Sequence, residues 1–552
     1  MATISLKNST IDPKSGFCST TRTFHSLRPP ISLPPLTTPF SLPDYFLTLL
    51  HHHSTTASSL IDATTRRRIP LSHLPHLIRT LAANLRRKFN LLKNDVALIL
   101  CPNSVHIPIL YLALLSLGVI VSPSNPLSSI SEISHQIHIS GPVIAFATSE
   151  NAAKIPALRL GMILIDSPQF ESLLLPCISG EFVQVEIFQD DTAAILYSSG
   201  TTGRFKGVEL THRNLIAAIA GVHVIRAVWM SPAVTLCAVP FFHVYGFVLC
   251  IRELAFGGSL VVISAERRSL ELMMEAVEEF RVTHLAVAPP VVVAMVKHHG
   301  GGAVAAEMYD LGSLEAVLCG GAPVANSVIE SFKQRFNNIS LLQAYGLTET
   351  TAGITRSIGQ SESRVTGSNG RLMSNCQAKI VDPVTAHNMP PLKPGELWIK
   401  GPMIMKGYVG DNEATAAMLD SEGWLRTGDI CYFDSAGFLF YVDRMKELIK
   451  YKGYQVAPSE LEDLLLSHPD IADAAVIPYP DEDAGQIPVA FVVRQQGSTV
   501  DDLDIMEFVA KQVAPYKKIR RVFYVDSVPK NAPGKVLRKE LIKLASGFTS
   551  KL

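Results

Sequence analysis

Apolar and polar positions alternate along this chain in blocks. From about Val96 to Gly437, short apolar runs are separated by amphipathic stretches. Ser259 to Ile263 is a short apolar run, Leu270 to Phe280 spaces its apolar residues as a helix does, and Thr283 to Ala288 is apolar again. This strand–helix–strand rhythm predicts an α/β architecture, a sheet covered by helices, with ligands at the carboxyl ends of the strands. The most apolar stretch, Val105 to Val121, is interrupted by His106 and Pro108 and followed by Pro123 and Pro126. A bilayer span takes about 20 apolar residues. The stretch therefore reads as a buried helix and strand, and no integral membrane segment is expected.

The texture changes near Asp443. Charges crowd into Asp443-Arg444-Met445-Lys446-Glu447; beyond them Ser459 to His468 and Asp502 to Val513 carry helical spacing, and Ile471 to Ile477 and Val489 to Val493 read as strands. The expected fold class is mixed α+β: a large multi-sheet N-terminal domain, residues 1–442, followed by a small α+β domain, residues 443–552. Ile31 to Pro43 is proline-rich and reads as extended chain, and no internal repeat is visible.

Composition narrows the function. The chain has 552 residues, 47% hydrophobic and 18% charged, as expected of a well-cored globular protein. Lys plus Arg and Asp plus Glu both total 49, so no net field selects nucleic acid, and an anionic ligand must be held by local charges in a pocket. The eight cysteines form no Cys-x-x-Cys pair, and several lie in apolar runs such as Val248 to Ile251. They read as free buried thiols in a reducing compartment, without a zinc site. His51-His52-His53 reads as an exposed loop triplet. The first residues are polar, which disfavours a secretory signal. The segment to Arg28, rich in Ser, Thr and basic residues with Asp12 its only acid, weakly resembles an organelle transit peptide. Against that, the sequence ends Ser550-Lys551-Leu552, the address read by the peroxisomal import receptor, and a peroxisomal location is expected.

Candidate chemistry begins at Tyr197-Ser198-Ser199-Gly200-Thr201-Thr202-Gly203-Arg204-Phe205-Lys206-Gly207. Glycines turn main-chain N–H groups toward an anion, hydroxyls add donors and Lys206 supplies charge, a cradle for a polyphosphate such as ATP. Gly203 is followed by two bulky residues before Lys206, which disfavours a Walker A loop. Taken alone, the stretch is equally consistent with a polar surface turn. In Gln343-Ala344-Tyr345-Gly346-Leu347-Thr348-Glu349, Glu349 could hold Mg²⁺ on ATP, Thr348 could bond a phosphate oxygen and Tyr345 could cover an adenine face, although taken alone the segment reads first as an exposed turn. Asp429 in Trp424-Leu425-Arg426-Thr427-Gly428-Asp429 follows a tight turn and suits ribose hydroxyls. Arg444 would bridge ribose and phosphate or form an interdomain ion pair. His243, inside Pro240 to Gly246, reads either as a satisfied core histidine or as a catalyst. Lys535, on the Pro/Gly loop Pro529 to Lys535, could swing into a site and neutralise developing charge, or remain a solvated surface lysine.

The order of these motifs resembles that of the adenylate-forming enzymes, the superfamily of acyl-CoA synthetases, luciferases and nonribosomal-peptide adenylation domains, over almost the whole chain. Lys446 to Pro458 and Asp483 to Val493 are similar to plant 4-coumarate:CoA ligases and their peroxisomal relatives. The resemblance implies an ATP- and Mg²⁺-dependent carboxylic acid:CoA ligase. The acid first becomes an acyl-adenylate, and the coenzyme A thiol then displaces AMP. It implies a phosphate loop over Ser198 to Lys206, with Thr348 and Glu349 for phosphate and Mg²⁺ and Asp429 with Arg444 for ribose. Lys535 would assist adenylation, Lys450 and Gln455 would act after the small domain rotates, and Lys446 would mark the hinge. His243 would orient the carboxylate or gate the thiol channel, and Lys452 with Gly453 would touch coenzyme A. Gln343 is shared between nucleotide and acid, and Tyr245, Val248, Gly321, Ala344, Thr348, Ala352 and Gly353 would line the acid pocket.

Two positions depart from the family pattern. Arg204-Phe205 replaces Leu-Pro before the loop lysine, and Leu318 stands where hydroxycinnamate-specific members have a lysine. The resemblance then implies an apolar, roomy pocket for a cinnamate-like or a medium- to long-chain fatty or oxylipin acid. Other functions within reach of the same motifs are a luciferase-like oxygenase, an adenylation enzyme loading a carrier protein, and an inactive acyl- or nucleotide-binding protein.

Overall fold

The computed structural model describes residues 10–53, 58–176, 185–198, 205–226, 233–264, 269–296, 308–452, 454–531 and 534–549. The apolar blocks form strands. Val96–Leu100, Ile120–Pro123, Ile144–Ala147 and Met162–Leu164 pair in parallel with helices between them, and Thr192–Ser198 joins parallel to Ile120–Pro123. Lys206–Thr211 then returns antiparallel, and Gly407–Tyr408 closes the edge of this seven-stranded sheet. Val105 to Val121 divides as its prolines suggest, into a fully buried helix His106–Ser116 and the strand Ile120–Pro123. Pro108 is tolerated because it falls in the first turn, where its missing N–H has no intrahelical partner.

A second sheet of fifteen strands holds the centre. Ser59–Asp62, Ser259–Val262, Val234–Cys237, His284–Val287, Ala316–Cys319 and Ser340–Leu347 lie side by side in parallel. The helices His212–Arg226 and Val244–Ala255 belong to the same unit. Beyond Leu347 the strand–helix rhythm ends. Ala352–Arg356, Ser368–Leu372, Phe438–Arg444, Leu425–Phe433, Gly395–Lys400 and Gln377–Val381 continue the sheet antiparallel. Tight turns such as Asp434 to Gly437, with Gly437 at φ 79°, replace crossover helices there.

One expectation changes, for the histidine triplet, and the reading of the cysteines as free buried thiols holds among the described residues. His51-His52-His53 is not a loop but the last turn of the helix Leu42–His53, whose preceding residues Phe46, Leu49 and Leu50 are buried. Cys18, Cys101, Cys237, Cys250, Cys319, Cys376 and Cys431 are free and buried, and Cys177 lies outside the described residues. The N-terminal segment is structural: Phe17–Cys18 and Thr23–His25 extend the large sheet along Gln377–Val381. Phe24 is fully buried and stacks on Phe433 at 4.4 Å, and Arg28 forms a two-pronged ion pair with Glu362 at 2.7 and 2.6 Å. Removing this segment would strip the sheet edge, which argues against a cleaved transit peptide.

The chain after Arg444 builds a separate sheet. Tyr454–Val456, Ile449–Tyr451, Gly485–Arg494 and Ile471–Asp481 pair antiparallel, and Arg521–Tyr524 adds parallel to Gly485–Arg494. Pro458–Leu466, Asp502–Ala510 and Arg538–Thr549 are its helices. At the junction, the buried Asp443 carboxylate accepts from the Arg444 and Ser459 N–H groups at 2.7 and 2.9 Å, tying the last strand of one sheet to the first turn of the next unit's helix. Phe24→Ala is expected to lower stability by about 3–5 kcal/mol, the usual cost of truncating a buried aromatic; a downward shift of the first urea-unfolding midpoint checks this.

Candidate functional site

The hairpin Thr192–Ser198 and Lys206–Thr211 sets Ser198 directly opposite Lys206. Ser199, Gly200, Thr201, Thr202 and Gly203, between them, lie outside the described residues. The flanks already carry two polar features. The Ser198 hydroxyl is buried with no hydrogen-bond partner among the described residues, and the Lys206 ammonium lies 4.7 Å from the Tyr408 ring centroid. The Tyr408 phenol donates to Glu349 Oε1 at 2.9 Å. Burial and the Glu349 charge push that phenol well above its ordinary range, so it keeps the proton it donates to Glu349. Glu349 is buried in the short turn Thr348–Thr350 that follows the strand Ser340–Leu347, with Thr348 half-buried beside it. Thr351 and Ala352 both take positive φ, 52° and 78°, and the Thr351 hydroxyl anchors this strained corner to the Met403 carbonyl at 2.6 Å. Gly346 is required there, because a Cβ would fall 1.8 Å from the Ala352 carbonyl oxygen.

Asp429 is 3% exposed and sits in the strand Leu425–Phe433 after Gly428, whose φ is 69°. The Tyr345 phenol donates to its Oδ2 at 2.7 Å, and Arg444 Nε lies 3.7 Å from its Oδ1 across the adjacent strand Phe438–Arg444. The Asp429–Arg444 pair is therefore internal to one sheet and is not an interdomain ion pair. Burial raises the Asp429 pKa, opposed by Arg444 and Tyr345. The Tyr345 hydroxyl is committed to this carboxylate.

The small sheet brings one lysine to this end. Burial lowers Lys535 to about 8, with Arg444 and Lys446 lowering it further and Glu447 and Asp429 opposing them. Its loop is pinned: the Lys535 N–H donates to Asn531 Oδ1 at 2.8 Å, and Gly534, at φ 88°, approaches the helix Pro289–Val296 so closely that a Cβ would lie 2.6 Å from Pro290. Lys450 and Gln455 face each other across Ile449–Tyr451 and Tyr454–Val456 and are exposed; neither side chain bonds to the large sheets among the described residues. Lys452 is exposed at φ 45°, its N–H held by the Ala484 carbonyl at 2.9 Å, and Gly453 lies outside the described residues. Lys446 is exposed beside Arg444.

A cavity at the expected acid-binding position forms between one face of the large sheet and the helices His212–Arg226 and Val244–Ala255. Tyr245, Val248, Leu318, Ala344, Ala352 and Gly353 line it, all named by the sequence. The Tyr245 hydroxyl donates to the Leu318 carbonyl at 2.9 Å. Gly321, Gln343 and Thr348 do not line it. Gly321 is exposed at φ 96° past the end of Ala316–Cys319, and Gln343 is buried with its amide donating to the Ser368 carbonyl at 3.3 Å. His243 is half-buried at the start of the helix Val244–Ala255, its ring 4.7 Å from that of Phe242.

The pocket is not apolar throughout, as the Leu318 substitution had suggested. Arg252 and Arg356 also line it. Two local signals mark them. Arg252 is four residues beyond Val248 on one helix face, and Arg356 pairs directly with Ala344, which puts both on the same face of the sheet.

The residues fit a nucleotide and its metal. Glu349 offers one carboxylate to a cation shared with phosphates, the mode Mg²⁺ favours, and the Ser198 hydroxyl, unpartnered among the described residues, lies opposite Lys206 in the hairpin register. Among the described residues no cluster of three or more His, Cys, Asp or Glu could hold a metal alone, and no helix is long and apolar enough to cross a membrane.

Comparison with known proteins converges. Residues 52–409 match the AMP-binding enzyme family, and residues 460–535 match the AMP-binding enzyme C-terminal domain. The chain is 48% identical to 4-coumarate–CoA ligase-like 9 of Arabidopsis thaliana over 98% of both chains. It is 45% identical to peroxisomal OPC-8:0-CoA ligase 1 of Arabidopsis thaliana over 97% of this chain and 98% of that one. Among solved structures it resembles o-succinylbenzoate coenzyme A synthetase of Bacillus subtilis in complex with ATP and magnesium ion, with a TM-score of 0.75 and 25% identity over 90% of this chain and 98% of that one.

Gly534→Ala adds a side chain in a left-handed conformation and against Pro290, at a cost of about 1–2 kcal/mol. Amide hydrogen exchange at Lys535 and Val536 is expected to quicken about tenfold, while exchange in the strand Gly485–Arg494 stays unchanged.

Proposed function

The chain belongs to the AMP-binding enzyme family and is an acyl-CoA ligase of the adenylate-forming superfamily; we propose that the residues assembled around Asp429 and Glu349 carry its two half-reactions. One observation supports this most directly. Within six residues of a single strand and its turn, Ala344 borders the acid pocket, Tyr345 holds Asp429 and Glu349 joins the Lys206–Tyr408 group. An acid, a ribose and a polyphosphate placed at these three points would be adjacent.

In the first half-reaction a carboxylate oxygen of the acid attacks the α-phosphorus of ATP, and the bond to pyrophosphate breaks. The attack turns a poor acyl donor into a mixed anhydride. Ser198, Lys206 and the loop between them hold the phosphates. Asp429 accepts from the ribose hydroxyls, and Arg444 and Lys535 supply positive charge where the α-phosphate gathers negative charge. Mg²⁺, held by Glu349 with Thr348 beside it, neutralises phosphate charge when bound. In the second half-reaction the coenzyme A sulfur attacks the acyl carbon, the bond to AMP breaks and the thiol proton leaves. The small unit then presents Lys450 and Gln455 after turning about Lys446, with Lys452 and Gly453 toward coenzyme A and His243 beside the acyl group. The boundary of that turning unit is read from the sequence at residue 443, inside the strand Phe438–Arg444, and the pivot proposed at Lys446 lies just beyond that strand's end.

The acid is read as cinnamate-like, or as a medium- to long-chain fatty or oxylipin acid, in line with the substrates named for the two plant relatives. Import into peroxisomes through Ser550-Lys551-Leu552, residues outside the described set, is read from the sequence and from the location in one relative's name.

Lys535→Ala is expected to lower adenylate formation at least about a hundredfold while sparing thioester formation from supplied acyl-adenylate, and Lys450→Ala should do the reverse. Equal losses in both half-reactions for both variants would overturn the division. Because Lys535 is lowered to about 8, its cation is present below that pH and lost above it. The kcat/KM for ATP, which reports the free enzyme, should fall about tenfold between pH 7 and pH 9, and Lys535→Arg should abolish this decline.

A further inference from the structure

The inner end of the acid pocket is basic. A second cavity shares Val222, Arg252, Leu318, Leu342 and Arg356 with the first and adds Arg226, Glu253 and His284. It extends from Ala344 toward Leu342, away from Thr348 and Glu349. The ionisable groups there do not balance. Glu253 is the single carboxylate, and it is already matched: Arg252 Nη2 lies 2.7 Å from Oε1, and the Thr235 hydroxyl donates to Oε2 at 3.0 Å. Arg226 donates to the Phe256 carbonyl at 2.8 Å and lies over that ring at 4.8 Å. Burial lowers His284 to about 4, leaving it neutral. Arg356 remains. Among the described residues its guanidinium forms no hydrogen bond and no ion pair, although its main-chain carbonyl accepts from Arg28 at 3.2 Å. Burial lowers it to about 10, so it is still a cation at neutral pH.

A half-buried cation that lines a cavity without an acceptor becomes costly once a ligand displaces its water, unless the ligand brings one. The position of Arg356, opposite Ala344 and at the far end from the phosphate site, is where the remote end of a bound acid would arrive. We propose that Arg356, supported by Arg252, selects acids that carry an acceptor oxygen, a carbonyl or a second carboxylate, at the end remote from the reacting carboxylate; this rests on the ligase reading above. A saturated hydrocarbon end would leave the guanidinium desolvated and unpaired. An oxygenated end would supply a charge-assisted hydrogen bond. Sites built around a polar substrate group discriminate strongly against analogues lacking it.

The test uses the full chain with Mg-ATP, coenzyme A and three acids of equal length: the saturated acid, its oxo analogue with the carbonyl near the far end, and the dicarboxylic acid. The kcat/KM for acyl-CoA formation should favour at least one oxygenated acid by about tenfold or more, and the one favoured identifies the acceptor as carbonyl or carboxylate. Arg356→Met should collapse that ratio toward one. Where the dicarboxylic acid is the one favoured, Arg356→Lys, which keeps a cation, should retain that preference. A wild-type ratio near one, or a ratio unmoved in Arg356→Met, overturns the inference while leaving the ligase reading intact. Absence of acyl-CoA and AMP with every acid overturns both.

Discussion

A carboxylate buried as deeply as Asp429 can stay charged only if donors replace the water it has lost. Its two partners come from distant parts of the chain, Tyr345 from the end of a parallel strand and Arg444 from the neighbouring antiparallel strand. The triad exists only where the parallel and antiparallel halves of the fifteen-stranded sheet are both in place, and the rest of the site is laid out around it. Tyr345 fixes the strand whose neighbouring residues face the acid pocket and the Glu349 turn. Arg444 is the last residue of its strand, immediately before the chain enters the smaller sheet.

The same junction couples the two units. Arg538 bonds Glu462 within the small unit and lies 3.0 Å from Glu447 beside the crossing point, while Asp443 caps the first turn of Pro458–Leu466. Burial raises Asp443 to about 6. Asn326 of the large unit donates to Asp463 at 3.3 Å, and Gly534 approaches Pro290. These polar contacts flank a small apolar cluster in which Ile430 and Val442 of the large sheet pack on Leu448 and Ala457, a modest interface of the kind across which units move readily. They contrast with the continuous apolar packing inside each sheet.

Much of this was legible in the sequence because the motifs are local. The apolar blocks gave the parallel strands, and the turn residues around Gly346 and Gly428 marked where backbone had to adopt conformations that favour glycine. Lys206, Glu349, Asp429 and Arg444 were named from short segments that the sheets then bring together. The antiparallel half was not legible as such, since tight turns and crossover helices can both follow a short apolar run. The histidine triplet misled for a related reason: a polar run ending an apolar helix looks like a loop when the helix face is not traced back to Phe46 and Leu49. The pocket arginines were hidden by distance. Leu318 announced the loss of a charge, but Arg356 returns charge through strand register, and only the pairing with Ala344 shows that the two share a face.

The N-terminal strand has a consequence for how the protein is made. Thr23–His25 pairs with Gln377–Val381, and Ser26 bonds Leu372 across 346 residues of sequence. At typical synthesis rates of about 5–20 residues per second, roughly 20–70 s separate the appearance of the first strand from that of its neighbour. During that interval Phe17 and Phe24 have no sheet to enter, and the nascent chain carries an unpaired apolar edge through most of translation. Folding of the large unit is thus tied to the ribosome's progress past Arg444, because Gln377–Val381 reaches the rest of the sheet only through Gly395–Lys400, Leu425–Phe433 and Phe438–Arg444, and the order of synthesis, rather than any local propensity, decides when the sheet can close.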